Sequence, residues 1–232
     1  MSDTAYEARR GWLRSYFGSE AAQQWRELTG TSPVSRIRET VRAGRAETAA
    51  TLLRWLPSRM EGLTVLDAGC GPGDLAAAMA KRGATVTAVD LSEALVDEGR
   101  TRHAEYVHDG RIRFVAGDMR AVKGPFDHVV AMDSFIHYDA PAFADLVAHF
   151  GALANRSLLF THAPWTPALA MMGAAGRAFP RSDRAPAIRP LRAAAVERWL
   201  GDDVRFADLR LGRRHGVRTA FYKSDCVEVH RP

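Results

Sequence analysis

Two acids and a glycine loop carry the clearest chemistry in this sequence. Asp67 stands between the apolar run Leu63–Leu66 and the loop Gly69-Cys70-Gly71-Pro72-Gly73. Asp90 ends a second apolar run, Thr85–Val89. Gly69, Gly71 and Gly73 allow sharp backbone turns and let a ligand approach the main chain closely. A helix beginning at Asp74 directs the positive end of its dipole at that loop. The arrangement suits an adenosine-containing ligand held at the carboxyl ends of parallel strands.

The spacing narrows the ligand. A dinucleotide fingerprint is G-x-G-x-x-G with a pyrophosphate on the helix N-terminus. Here it is G-x-G-x-G, and Asp67 precedes it, where a carboxylate would repel a pyrophosphate. The same carboxylate attracts the amino group of a methionine moiety. The loop therefore resembles the S-adenosylmethionine loop of class I methyltransferases. That resemblance implies that Asp90 accepts from the ribose hydroxyls. It also implies that Asp118, in Val115-Ala116-Gly117-Asp118-Met119, meets the adenine amino group. Leu91, Met119 and Met132 complete the expected cofactor set. A nucleotide loop of another kind, or a strand-turn-helix without ligand, is the bland alternative.

Acceptor chemistry points to His137, followed by Tyr138, beyond the fourth strand. A neutral imidazole there faces the cofactor side and accepts a proton or orients an acceptor oxygen. His162, ending the fifth strand, is a second candidate for the same rim. Tyr16 is a third, if its helix folds over the cleft. The bland readings are a structural histidine and a packing tyrosine.

The positioning elements follow from pattern. Strands are expected at 63–67, 84–90, 111–116, 126–132 and 156–162, and helices at 74–82, 92–104 and 140–153. This alternation predicts a doubly wound α/β sheet, mostly parallel and Rossmann-like. Before it, residues 1–57 read as a helical arm. Its first helix is Tyr6–Phe17, with Trp12, Leu13, Tyr16 and Phe17 on one side. Ser19 caps a second helix carrying Trp25. A third, Val34–Leu56, shows Ile37, Val41, Leu52, Leu53 and Trp55 as its apolar side. Residues 58–232 are expected to form the methyltransferase domain. Its proline-rich stretch at about 163–190 reads as a lid insertion, with a short apolar helix before Phe179. A helix at Leu191–Leu200 and strands 203–212 and 217–228, turning at Arg213–Gly216, close a seven-stranded sheet with an antiparallel end.

Composition sets bounds. The chain has 232 residues, 47% of them hydrophobic, enough for one sizeable core. It holds no apolar run of the roughly 18 residues that span a bilayer. Polar Met1–Arg10 is not expected to be a secretory signal. Two cysteines make no disulfide framework, which suits a reducing cytoplasm. The net charge of +5 favours acidic partners: nucleic acid, an anionic membrane face or a carboxylate-bearing substrate. The arginines are scattered, not set in an aromatic-interleaved basic run, so nucleic acid is not expected. No Asn/Asp-Pro-Pro-Tyr follows the fourth strand, neither cysteine sits as a pyrimidine-methylating nucleophile, and no zinc spacing is present.

Longer segments carry a narrower resemblance. Arg14-Ser15-Tyr16-Phe17 with Trp25, the run Val34–Arg45, Val129–Tyr138 and Phe179–Pro186 resemble the magnesium protoporphyrin IX methyltransferase family. The likeness covers nearly the whole chain. It implies methyl transfer from S-adenosylmethionine to one propionate carboxylate of magnesium protoporphyrin IX, in bacteriochlorophyll synthesis. S-Adenosylhomocysteine is the second product, and magnesium enters only inside the porphyrin, with no metal site on the protein. It further implies that Tyr16 and His137 act at the carboxylate. Phe17, Trp25, Tyr138, His162 and Phe179 are then the expected porphyrin contacts. A cytoplasmic protein with at most peripheral membrane association, meeting the porphyrin-binding subunit of magnesium chelatase, completes the expectation. Pro72 departs from the threonine frequent in relatives, at a position that contributes backbone. Two other readings stay open: a methyltransferase for a quinone precursor or lipid amine, and a non-catalytic S-adenosylmethionine-binding assembly protein.

Overall fold

A computed structural model describes residues 3–17, 36–167 and 188–232. Trp25, Phe179, the helix expected after Ser19 and most of the expected lid lie outside the described residues, as does the side chain of Phe17.

The described helices are α1 (Asp3–Phe17), α2 (Arg36–Trp55), α3 (Asp74–Lys81), α4 (Glu93–Arg102), α5 (Ala104–His108), α6 (Ala140–Leu153) and α7 (Ala193–Asp202). The strands are β1 (Thr64–Ala68), β2 (Thr85–Asp90), β3 (Ile112–Ala116), β4 (Phe126–Ala131), β5 (Ala154–His162), β6 (Arg210–Arg218) and β7 (Lys223–His230). They form one seven-stranded sheet in the order β3-β2-β1-β4-β5-β7-β6. The first five strands are parallel, and β7 runs antiparallel to both β5 and β6. Strand order reverses between β1 and β4, the switch point where such sheets leave a crevice.

Apolar runs that are buried on both faces explain the parallel sheet. Along β1, Val65 packs with Leu52, Met79 and Leu159 on one side, while Leu66 packs with Phe135, Phe143 and Leu158 on the other. Local chemistry sets the helix starts. Ser92 accepts the Leu95 N–H at 3.4 Å to begin α4, and Asp139 accepts the Ala142 N–H at 3.2 Å to begin α6.

Four expectations need correction. The turn expected at Arg213–Gly216 lies inside β6, and the chain reverses instead over Thr219–Tyr222, where the Thr219 N–H donates to the Tyr222 carbonyl at 2.8 Å. Residues 203–208, expected as strand, hold a 3-10 turn at Val204–Phe206. Strand β6, with Arg213, Arg214 and His215, is instead an exposed edge strand: charged side chains guard a sheet edge, and Arg213 pairs there with Glu228. On α1 the buried side chains are Tyr6 and Leu13, whereas Trp12 is 42% exposed. On α2 the buried face is Gly44, Thr48, Thr51 and Leu52, with Ile37 53% exposed. Gly44 is needed there, because a Cβ would meet the Tyr222 ring at 2.4 Å. No described helix is long and apolar enough to cross a membrane.

Candidate active site

The glycine loop leaves β1 and turns under β2. The Gly69 and Cys70 N–H groups both donate to the Val89 carbonyl, at 2.8 and 3.0 Å. Gly69 has φ 84, and a Cβ on it would meet the Ser134 Cβ at 2.3 Å, so the loop packs against the segment after β4. Gly71 has φ 54, but a Cβ there would meet nothing within 4 Å. Gly69 is glycine for close packing, and Gly71 for its left-handed backbone, with open space beside it.

Asp90 is held from two sides. Its Oδ2 accepts the Gly71 N–H and its Oδ1 the Ser92 N–H, both at 2.9 Å. Burial raises its pKa, and these amides oppose the rise. Asp67 is 1% exposed, and its Oδ2 is buried with no hydrogen-bond partner among the described residues. Burial first, then the Asp90 charge, push Asp67 up to about 7, against the Ala76 amide in the first turn of α3. A buried carboxylate oxygen without a donor is costly unless a ligand supplies one. An ammonium group is the matching donor.

Two adjoining clefts meet at this loop. One, with about 690 Å³ of empty space partly open to solvent, is bordered by Gly69, Gly71, Asp90, Leu91, Met119, Met132, His137 and Tyr138. The other, of about 760 Å³, is bordered by Asp67, Gly69, Cys70, Met132 and the α2 side chains Arg42 and Arg45. Most of the side chains expected at the cofactor are thus brought together. Gly73 instead caps α3 and packs on Phe114.

The structure gives Asp118 a different set of partners. It accepts from the Tyr6 hydroxyl and from Arg10, both at 2.7 Å, and so ties α1 to the loop after β3. Burial alone would raise its carboxyl, but these donors outweigh it and hold it below its ordinary value. Tyr6 also stacks on Tyr138, with ring centroids 5.4 Å apart.

His137 ends a 3-10 turn, Phe135–His137, and is 6% exposed where it borders the first cleft. Tyr16 does not border that cleft; it stacks on Trp12 at 5.4 Å, one turn away on α1. His162 does not border it either. It is buried at the end of β5, edge-on to Phe143 and 3.8 Å from Asp225, and burial lowers its pKa.

Sequence reasoning missed Tyr6, Leu13 and Arg45 as site residues, all of which border the clefts or hold their walls. It set the stretch from Asp133 to Tyr138 on the cofactor side, where the first cleft has it, but gave Asp133 no role of its own. Asp133 has φ 55 and is bound by Arg45 and by the Thr161 and Tyr222 hydroxyls. An acid ending a buried strand was the one local signal for it.

The family model for the magnesium-protoporphyrin IX methyltransferase C-terminus matches residues 131–231, and a methyltransferase domain model matches residues 65–155. The magnesium-protoporphyrin O-methyltransferase of Rhodobacter capsulatus is 37% identical over 98% of both chains. The chloroplastic magnesium protoporphyrin IX methyltransferase of Arabidopsis thaliana is 33% identical over 94% of this chain and 70% of its own. The crystal structure of the Synechocystis magnesium protoporphyrin IX methyltransferase with bound SAH superposes with a TM-score of 0.83. It is 29% identical and covers 96% of this chain and 99% of its own.

Proposed function

The chain belongs to the magnesium-protoporphyrin O-methyltransferase family, and from that premise we propose that it esterifies one propionate of magnesium protoporphyrin IX, with S-adenosylmethionine as donor. The observation that carries the donor reading is the buried Oδ2 of Asp67, without a hydrogen-bond partner among the described residues, beside the open backbone at Gly71. When bound, the cofactor supplies an electrophilic methyl group on its sulfonium. Asp67 would hold the amino group, Asp90 the ribose hydroxyls, and Leu91, Met119 and Met132 the apolar surfaces.

The residues of the chain then have little bond chemistry to do. A propionate is already ionised near neutral pH and needs no strong base. It needs alignment and partial desolvation. His137, nearly buried at the mouth of the cleft, orients the attacking carboxylate oxygen. We assign Tyr16 to the substrate side as a second orienting group, one turn beyond the exposed ring of Trp12. Tyr138, braced by Tyr6, forms the wall against which the porphyrin edge rests.

Because chelatase makes this substrate, its porphyrin-binding subunit is the partner we infer. We place the meeting in the cytoplasm, where the +5 charge suits at most peripheral contact with an anionic membrane face. Incubation with S-adenosylmethionine and magnesium protoporphyrin IX, scored by mass for the monomethyl ester, tests the reaction. Absence of the ester overturns it.

A further inference from the structure

Ser134 opens the turn that ends at His137, and both residues border the first cleft. The Ser134 hydroxyl oxygen is buried and has no hydrogen-bond partner among the described residues. It does not cap the turn that follows it. A buried hydroxyl of this kind is costly unless something that binds there completes it. The turn is a 3-10 turn, with three residues per turn, so side chains three apart share a face. Ser134 and His137 are such a pair.

Ser134 is held from two sides. Its Cβ packs on the glycine loop: a Cβ added at Gly69 would lie 2.3 Å from it and 3.1 Å from the Ser134 Oγ. On the other side Asp133 sets the backbone at φ 55, and its N–H donates to the Thr161 hydroxyl at 2.8 Å. The cofactor's polar groups have other partners. Asp67, assigned to the ammonium group, borders the second cleft, which Ser134 does not border. Asp90, assigned to the ribose, is held at Gly71 and Ser92. The group within reach of both Ser134 and His137 is the acceptor.

We propose that the Ser134 hydroxyl is the second group that holds the acceptor carboxylate, donating to the oxygen that does not take the methyl while His137 orients the one that does. This rests on the reading of the protein as a magnesium protoporphyrin methyltransferase. A hydroxyl that donates to a carboxylate makes a charge-assisted bond, stronger than one to a neutral acceptor. During transfer the attacking oxygen gives a lone pair to the methyl carbon, and the carbon–sulfur pair stays on sulfur. Ser134 keeps its proton throughout. The product is a neutral ester, so the bond to Ser134 loses its charge assistance as the methyl arrives. The contact therefore favours the acid over the ester and helps the product leave.

Porphyrin binding titrations on protein saturated with S-adenosylhomocysteine test this. The probes are magnesium protoporphyrin IX and its monomethyl ester, which differ only at the acceptor propionate. Wild-type protein should prefer the diacid. Ser134→Ala should cut that preference about tenfold, the worth of a hydrogen bond to a charged group, with the loss falling on the diacid alone. Ser134→Cys, close to serine in size but a weak donor, should behave as Ser134→Ala does. Both variants keep the Cβ that packs on Gly69. In turnover, each should raise the KM for the porphyrin and leave the KM for S-adenosylmethionine unchanged. If both variants keep the wild-type preference, the proposal is overturned. It is equally overturned if the loss falls on S-adenosylmethionine affinity, which would give the hydroxyl to the cofactor. A preference lost in Ser134→Ala but kept in Ser134→Cys would also overturn it, by assigning the effect to packing. Failure of the parent reading is seen separately, as absence of ester formation by the wild type.

Discussion

The Tyr222 hydroxyl lies 3.0 and 3.1 Å from the two carboxylate oxygens of Asp133, joining the turn after β6 to the residue that follows β4. Arg45 of α2 donates to the same carboxylate at 2.5 Å, and the Asp133 N–H donates to the Thr161 hydroxyl at 2.8 Å. Among the described residues Asp133 is the one non-glycine at positive φ. A strained backbone at that point persists because three elements hold it, and it turns the chain toward Ser134 and His137.

Asp133→Ala should therefore cost both stability and rate. It leaves the largely buried Arg45 guanidinium without that carboxylate and removes an acceptor from Tyr222. The expected loss is about 3–5 kcal/mol in denaturant unfolding. Tyr222→Phe should cost about 1 kcal/mol, the worth of one hydrogen bond. A stable Asp133→Ala with wild-type turnover would show that the network does not position His137.

Asp67 makes cofactor affinity depend on pH. Its carboxyl is raised from 3.8 to about 7 in the folded protein. The ionised form is the one that attracts an ammonium group. S-Adenosylmethionine binding should therefore tighten about tenfold from pH 6 to pH 8 in isothermal titration, as Asp67 passes from mostly protonated to mostly ionised. Stability of the ligand-free protein runs the other way. A raised acid stabilises the fold fully below the unfolded value of 3.8, and that contribution fades as pH rises through about 7. Asp67→Asn should remove both dependences, and retention of the affinity slope in that variant would assign it to another group.

Gly69 and Gly71 should separate in their effects. Gly69→Ala drives a Cβ into Ser134 at 2.3 Å and should lower the melting temperature sharply. Gly71→Ala meets no atom and costs only its left-handed backbone, about 1–2 kcal/mol. Yet it fills the space assigned to the cofactor. A folded Gly71→Ala protein that binds S-adenosylmethionine at wild-type affinity would move the cofactor away from the loop.

His137→Ala should lower turnover by orders of magnitude with little change in cofactor affinity, because no cofactor contact is assigned to the imidazole. Single-turnover ester formation measures this, and a wild-type rate would remove His137 from the mechanism. Tyr16→Phe should cost less, and an unchanged rate would leave Tyr16 a packing residue against Trp12.

The sequence by itself determined what depends on neighbours along the chain. Alternating apolar runs set the strands, and Asp67 before the loop chose an ammonium-bearing cofactor over a pyrophosphate. The order of strands placed Asp90, Met132 and His137 at one end of the sheet. The basic edge strand was misread as a turn for the same reason: charge and glycine at Gly212–Gly216 carry the same local signal in an exposed edge as in a loop. What only the tertiary structure decided is which faces meet. Tyr6 reaches Asp118 across 112 positions, Arg45 reaches Asp133 across 88, and Arg9 reaches the His137 carbonyl across 128. Helical periodicity fixes the angle between side chains on α1 but not which of them turns inward. That choice is made by the wall of Tyr138, Asp118 and Met119 against which the helix packs, and it put Tyr6 and Leu13 inside and Trp12 outside.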